Sequence, residues 1–415
     1  MSTLDPSSKA VPVQITEDEA AVYDRQIRLW GLEAQQRMRN ATILVVRLRG
    51  VATEAIKNIV LAGIGKLVLV DGDLVAEEDL GAGFFFRDDD VGKNRRHCAA
   101  HAGVHTPFIN VRPEYAPCRA PSRLRAYLPR WLRFPLSGWR EASTVSDQSE
   151  CAHDTKHPGT YYTDGDGSML KATAAKGRIE SLNPLVTVEA SATAVLDEPA
   201  LAVLVQGVDM VCVTDMDRET LILVNDVCRR ANKPFYAGGT YGLLGYIFCD
   251  LLAHDYIAPD RAAPKDVAKN IKNTTRYCPL KTALEHRWSA LSRRQTKELN
   301  PAAIFAVLAI WEYQSQHGGA LPDDSGAAVA LEQAANTLLT AACVNRQAIA
   351  NAPKELIESM AVTAAHELAP VCAVVGGMLA QDVLKALAAR EPPIANFFVF
   401  DGNTGGGTVA RMNVA

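Results

Sequence analysis

Residues 42–73 carry three runs in a fixed order: an apolar stretch ILVV at 43–46, a helical pattern through GVATEAIKNIVLAG, and a second apolar stretch KLVLV closing on Asp71-Gly72-Asp73. A buried strand, a helix and another strand within about thirty residues form a βαβ crossover, whose strands must lie parallel with a helix across one face. That unit commits the chain to an α/β fold. It also directs attention to the turn after the first strand, where such folds use glycines to bring an anion against a helix N-terminus. Here the turn reads Arg47-Leu48-Arg49-Gly50-Val51-Ala52, with one glycine.

Further strands are expected in ASATAV, VDMVCVTD, KPFYAGGTYGLLGYIFCDLL and NFFVFDG. Helices are expected in ITEDEAAVYDRQIRLWGLEAQQRMRN, with Thr16 and Glu19 as a capping box, and in RETLILVNDVCRRAN, PAAIFAVLAIWEYQ and AAVALEQAANTLLTAA, the last two joined by the surface loop HGGALPDDSG. The chain therefore divides into a flexible arm at 1–18, the first part of the α/β domain at 19–95, an irregular insertion at 96–169, and the remainder at 170–415. That remainder includes a helical segment at about 262–367 and a closing strand at 396–401. The insertion is rich in Pro, Arg, Ser and Gly and has no sustained periodicity, so it is expected to be a disordered loop or a retained intron.

With 415 residues, 48% of them apolar, and a net charge of −4, the chain can bury a large core and has no global attraction for nucleic acid or an anionic membrane. Its nine cysteines include no CxxC pair, which suits a reducing compartment and argues against structural zinc. The N-terminus has no signal-peptide core, and no run reads as long enough to span a bilayer, so a nuclear or cytosolic protein is expected.

YDRQIRLWG at 23–31, DGDLVAEEDLGAGFFF at 71–86, VGKNR at 91–95, RIESLNPLV at 178–186, PVCAVVGGMLAQDVLKAL and the terminal NFFVFDG occur in this order. Together they resemble the ubiquitin-like-protein activating enzymes. The likeness covers about 20–95 and 170–415, and within the family is greater to the smaller, cysteine-domain-lacking subunits of SUMO-activating heterodimers. It implies a Rossmann-like ThiF/MoeB-type adenylation fold with a mostly parallel sheet and flanking helices. It further implies a nuclear, catalytically incomplete subunit, inactive alone, whose partners are the larger catalytic subunit and SUMO. ATP and Mg2+ would be bound mainly by that partner, whose cysteine takes the activated SUMO as a thioester. The equivalent subunit for NEDD8, a scaffold with no share in catalysis, and a dinucleotide-binding oxidoreductase are the alternatives.

Carried over residue by residue, the resemblance implies a partly dismantled nucleotide pocket. Arg47 and Ala52 replace glycines, Ala82 stands where an N-x-N-R-Q segment at 79–83 would have its arginine, and Arg95 stands where a lysine is expected. Without the insertion, Lys171 would take that lysine's place. Gly50, Asp71, Asp73 and Asp215 remain as nucleotide-binding candidates, Asp215 at the magnesium position. Asp215 reads equally well as an exposed strand-end carboxylate capping the next helix. Arg25 is the arginine that the resemblance would deliver in trans to the partner's ATP site, unless it pairs with Asp24 or Glu19. Cys278, in RYCPLKTALEHRW, is the nearest nucleophile candidate but lacks a neighbouring acid or base, while Cys212, Cys249 and Cys372 read as buried. His366-Glu367 lacks the second histidine of a zinc-protease motif and reads as capping or core. Val371, Val374, Val375, Met378 and Leu379 read as one buried helix face, with Gly376-Gly377 allowing close packing.

Overall fold

The structure, a computed structural model, describes residues 14–91, 169–191, 197–259 and 270–414. Arg95 and all of the expected insertion except Met169 lie outside the described residues. An eight-stranded sheet organises the rest, in the order β10-β9-β6-β5-β4-β1-β2-β3. Its members are β1 (Thr42–Val46), β2 (Lys66–Val70), β3 (Thr187–Ser191), β4 (Met210–Thr214), β5 (Phe235–Tyr241), β6 (Leu244–Asp250), β9 (Phe397–Asp401) and β10 (Gly406–Ala410). From β3 to β5 every pairing is parallel, with Ile43 opposite both Leu67 and Met210, whereas β5, β6, β9 and β10 pair antiparallel. A separate antiparallel ribbon joins β7 (Ala253–Pro259) to β8 (Asn270–Arg276). Thus a strand lies in the stretch read as helical from about 262, where NIKNTTR alternates between half-buried and exposed positions.

The sheet buries apolar side chains on both faces, as a central parallel sheet must. Leu44, Val46, Val211 and Val213 share one core with Leu221, Val224 and the helix Pro301–Gln316, where Trp311 donates to the Tyr241 hydroxyl at 2.8 Å. Ile43, Val45 and Leu69 share the other with the helices Gly50–Leu61 and Ala369–Ala388. Those two helices approach closely because a Cβ on Gly376 would sit 2.7 Å from both the Val51 carbonyl oxygen and the Glu54 Cβ. At the wall of the first core, Asp250 is fully buried and accepts from Asn225 Nδ2 at 2.8 Å, Arg229 Nε at 2.5 Å, Arg229 Nη2 at 2.8 Å and the Leu252 N–H at 3.2 Å. This carboxylate ties the helix Arg218–Arg230 to the end of β6.

Three sequence expectations change. The N-terminal helix is broken into Glu17–Val22, Asp24–Trp30 and Leu32–Arg39, because Tyr23 ends the first and Gly31, at φ 87°, ends the second; the Thr16–Glu19 capping box is present. Ala369–Ala388, against the expectation of no bilayer-length run, is long and apolar enough to cross a membrane by length and composition. More than half of its apolar window is nonetheless buried within the protein, against the helix Gly50–Leu61 and the sheet. On that helix Val374 is exposed, unlike Val371, Val375 and Leu379, since it points away from the contact.

Residues flanking 92–168 meet in space. The Met169 N–H donates to the Asp90 carbonyl at 3.1 Å, the Val75 N–H donates to Met169, and Lys171 donates to Asp73. Arg178 then grips both carboxylate oxygens of Asp90, at 2.5 and 3.0 Å.

Candidate functional site

The helix after β1 packs on one face of the sheet and the helix after β4 on the other. Between adjacent strands whose connections diverge, a crevice opens at the carboxyl ends, the usual ligand position in open α/β sheets. Its walls are the turn Arg47–Gly50 after β1, Asp71 after β2 and Asp215 after β4.

Arg47 adopts φ 66° and Asp215 φ 50°, both in the left-handed region that favours glycine. Such positions cost on the order of 1 kcal/mol each, so surrounding contacts hold them. The Arg47 carbonyl accepts from Thr214 Oγ1 at 2.7 Å, and its guanidinium reaches Met216 Sδ at 3.4 Å while Nε, closed off from solvent, has no partner among the described residues. The Asp215 N–H donates to the Gly238 carbonyl, and Asp215 Oδ1 accepts from the Thr240 N–H at 3.1 Å. Asp215 Oδ2 is likewise closed off and has no partner among the described residues.

The N-terminus of the helix Gly50–Leu61 already holds an anion. Glu367, in the segment before Ala369–Ala388, accepts from the Gly50 N–H at 3.0 Å through Oε1, and its Oε2 lies 3.7 Å from Arg49 Nε. Its side chain is only 9% exposed. A Cβ on Gly50 would meet Cys372 Sγ at 2.7 Å and the Ala82 Cβ at 2.9 Å, so this glycine serves close packing. The other charged groups are similarly engaged by the protein. Asp71 is buried and accepts from the Leu48 N–H at 2.6 Å and the Asp73 N–H at 2.8 Å. Lys171 Nζ lies 2.8 Å from Asp79 Oδ1, with both side chains at most 7% exposed. Asp73 itself is exposed beside Asp71. Among the described residues no group of three or more His, Cys, Asp or Glu converges to hold a metal.

Burial pushes the Asp215 carboxyl up to about 7, reinforced by the negative charge of Glu367 and opposed by Arg49, the Thr240 N–H and Arg47. Burial acts against the charge on Arg49, but Glu367, Asp215, Asp79 and Glu78 carry it above its usual range. Burial also raises Asp71, against the Leu48 and Asp73 N–H groups and Lys171. A carboxyl at about 7 in the folded chain and at its ordinary 3.8 when unfolded stabilises the fold fully below about pH 4. That contribution is lost as pH rises through 7. The titratable groups acting with Asp215 are Arg47, Arg49, Glu367, Tyr241, Tyr246 and Cys372. Asp215→Asn keeps an acceptor for Thr240 and removes the titration. In urea denaturation its stability relative to wild type is expected to rise by on the order of 2 kcal/mol between pH 5 and pH 8. A difference that does not change with pH would show that Asp215 holds no such proton.

The structure corrects the capping reading of Asp215. Asp217 caps the helix Arg218–Arg230, accepting from the Thr220 N–H, and Asp215 is turned into the crevice. Cys278 is buried and donates to the Met412 carbonyl at 3.2 Å; burial, then the nearby Asp250, push its thiol up, the opposite of an activated nucleophile. Cys212, Cys249 and Cys372 are buried. Arg25 is exposed and makes no ion pair among the described residues. Asp24 pairs with Arg28 at 2.9 Å and Glu19 with Arg39 at 2.8 Å, so neither is its partner. Glu367, read as capping or core, is nearly buried and caps the helix Gly50–Leu61; sequence reading missed its contact with Gly50 and the Lys171–Asp79 pair. The only signal for the first was a carboxylate immediately before an apolar helix.

The family description "ThiF family" matches residues 23–122 and 155–415. The chain is 30% identical to SUMO-activating enzyme subunit 1 of Xenopus laevis, over 95% of this chain and 96% of that protein. It is 29% identical to SUMO-activating enzyme subunit 1 of Homo sapiens, over 95% of each. The crystal structure of PaaA aligns at a TM-score of 0.48 and 13% identity, over 99% of this chain and 78% of that one.

Proposed function

The chain belongs to the ThiF family, and from that premise we propose that it is the smaller, catalytically incomplete subunit of a SUMO-activating heterodimer. One observation carries the reading: proteins named SUMO-activating enzyme subunit 1 are similar along nearly the whole of both sequences. The corresponding NEDD8 subunit and a pure scaffold are not favoured.

ATP supplies the energy of this activation, by adenylating the SUMO C-terminus before a cysteine takes the acyl group. Neither the phosphates nor the nucleophile fits this chain. The Gly50 N–H is engaged by Glu367, Arg47 fills the position of a glycine, and both oxygens of Asp71 accept from the protein's own backbone. The described cysteines are buried except Cys343, whose Sγ contacts the Ala341 carbonyl and Arg287. On this reading the larger subunit holds ATP and Mg2+ and provides the cysteine, and the heterodimer is assigned to the nucleus by its likeness to the SUMO-activating subunits alone. This chain contributes assembly and Arg25, which crosses to the partner's phosphates. Support for that role is its exposure and the engagement of the nearest carboxylates by other arginines.

Purification of the tagged chain from its own cells, followed by mass spectrometry, tests the assignment. A stoichiometric larger activating-enzyme subunit carrying a catalytic cysteine is expected. Recovery of the chain alone, or with a NEDD8-activating partner, would overturn it.

A further inference from the structure

We propose that Asn183 and Gln35 are positioning residues for Arg25, two amide side chains that clamp both ends of its helix to the carbonyl end of the helix Gly50–Leu61. This role rests on the reading of Arg25 as a group delivered to the partner's ATP site, and it supplies what aims that group.

An arginine acting across an interface has to be held closely, since a misplacement of about 1 Å can cost on the order of a hundredfold in rate. The helix that carries Arg25, Asp24–Trp30, buries none of its residues fully, so core packing does not set its direction. Hydrogen bonds at its two ends do. Tyr23, immediately before the helix, is buried against Gly63, which at φ 83° leaves no room for a Cβ beside the ring. The Tyr23 hydroxyl accepts from Asn183 Nδ2 at 2.8 Å, and the same nitrogen donates to the Val60 carbonyl at 2.8 Å. At the other end Trp30 Nε1 donates to Gln35 Oε1 at 3.1 Å, and Gln35 Nε2 donates to the Ala62 carbonyl at 2.9 Å.

The two arms have one design. Each runs from an aromatic side chain through a buried amide to a carbonyl at the end of the helix Gly50–Leu61, where carbonyls lack intrahelical partners. Buried amides are constrained to the orientation that satisfies their donors and acceptors, and Asn183 Oδ1 is used as well, accepting from the Leu185 N–H at 3.2 Å. The helix that receives both arms is itself packed into the core on one face of the sheet. Arg25 is thus carried on an otherwise exposed helix whose direction is tied to the rigid centre of the fold.

The test uses Tyr23→Phe, Trp30→Phe and the double variant in the reconstituted heterodimer, each with and without Arg25→Ala. Tyr23→Phe keeps the ring on Gly63 and leaves Asn183 bonded to Val60, so thermal unfolding and heterodimer assembly should stay close to wild type. Single-turnover formation of the SUMO adenylate should slow by about tenfold in the double variant at saturating ATP and SUMO, with KM for both unchanged. In the Arg25→Ala background the same two changes should slow it no further, which loss of stability alone would not produce. In the isolated chain, backbone hydrogen exchange over residues 24–31 should be faster in the double variant than in wild type. The proposal is overturned if that exchange is unchanged, an outcome independent of SUMO activation. It is also overturned if the rate is unaffected while Arg25→Ala slows it, or if the slowing adds in full to that of Arg25→Ala. Arg25→Ala without effect would overturn the reading of Arg25 itself and the clamp's role with it.

Discussion

Arg25→Ala is expected to leave the heterodimer assembled and SUMO bound while slowing adenylate formation by about ten- to a thousandfold, the loss associated with one charged donor in a shielded site. The helix Asp24–Trp30 buries none of its residues fully, and its anchor is the preceding Tyr23. Tyr23 is 3% exposed and its hydroxyl accepts from Asn183 Nδ2 at 2.8 Å, while Trp30 Nε1 donates to Gln35 Oε1 at 3.1 Å. These contacts fix the helix from both ends and leave Arg25 outward, with Leu29 82% exposed beside it. A side chain held this way adds little to the stability of the chain, so its removal should not unfold it. Lysine would keep the charge but lose the planar fork that matches phosphate oxygens, so Arg25→Lys should recover only part of the rate. Single-turnover formation of the SUMO adenylate, alongside size-exclusion chromatography of the heterodimer, reads both effects. A mutant that assembles and adenylates at the wild-type rate would reduce the chain to a scaffold.

What the sequence disclosed was local. The runs at 43–46 and 66–70 became β1 and β2 because a short unbroken apolar run of this length, bounded by turn residues, fits a buried strand without long-range information. Thr16 and Glu19 formed their capping box for the same reason. The nucleotide-pocket candidates Gly50, Asp71 and Asp215 were legible as positions, but not in what they touch. Gly50 meets Glu367 across 317 residues, and no spacing rule connects them. Lys171 meets Asp79 across residues 92–168, which hid the pairing behind a stretch without pattern. Asp215 and Asp217 are both acidic at a strand end, and only the backbone decides that Asp217 caps the helix while Asp215, at φ 50°, turns inward. Val374 shows the limit of periodicity: on a helix covered by both a neighbour and a sheet, it falls on the uncovered strip.

The central claim is that this chain's own crevice is filled by its own side chains and that its contribution to activation is made through a partner. Two features of the described residues bear on independent chemistry: Glu367 occupies the helix N-terminus, and the described cysteines other than Cys343 are buried. Electrostatic stabilisation of the reacting phosphates and an activated nucleophile are both required for adenylation and thioester formation. The most direct measurement is SUMO-dependent ATP–pyrophosphate exchange by the purified chain, alone and after addition of the larger subunit. Exchange at background alone, rising to the full rate on reconstitution, is the predicted result; exchange by the isolated chain at a rate near that of the heterodimer would contradict it.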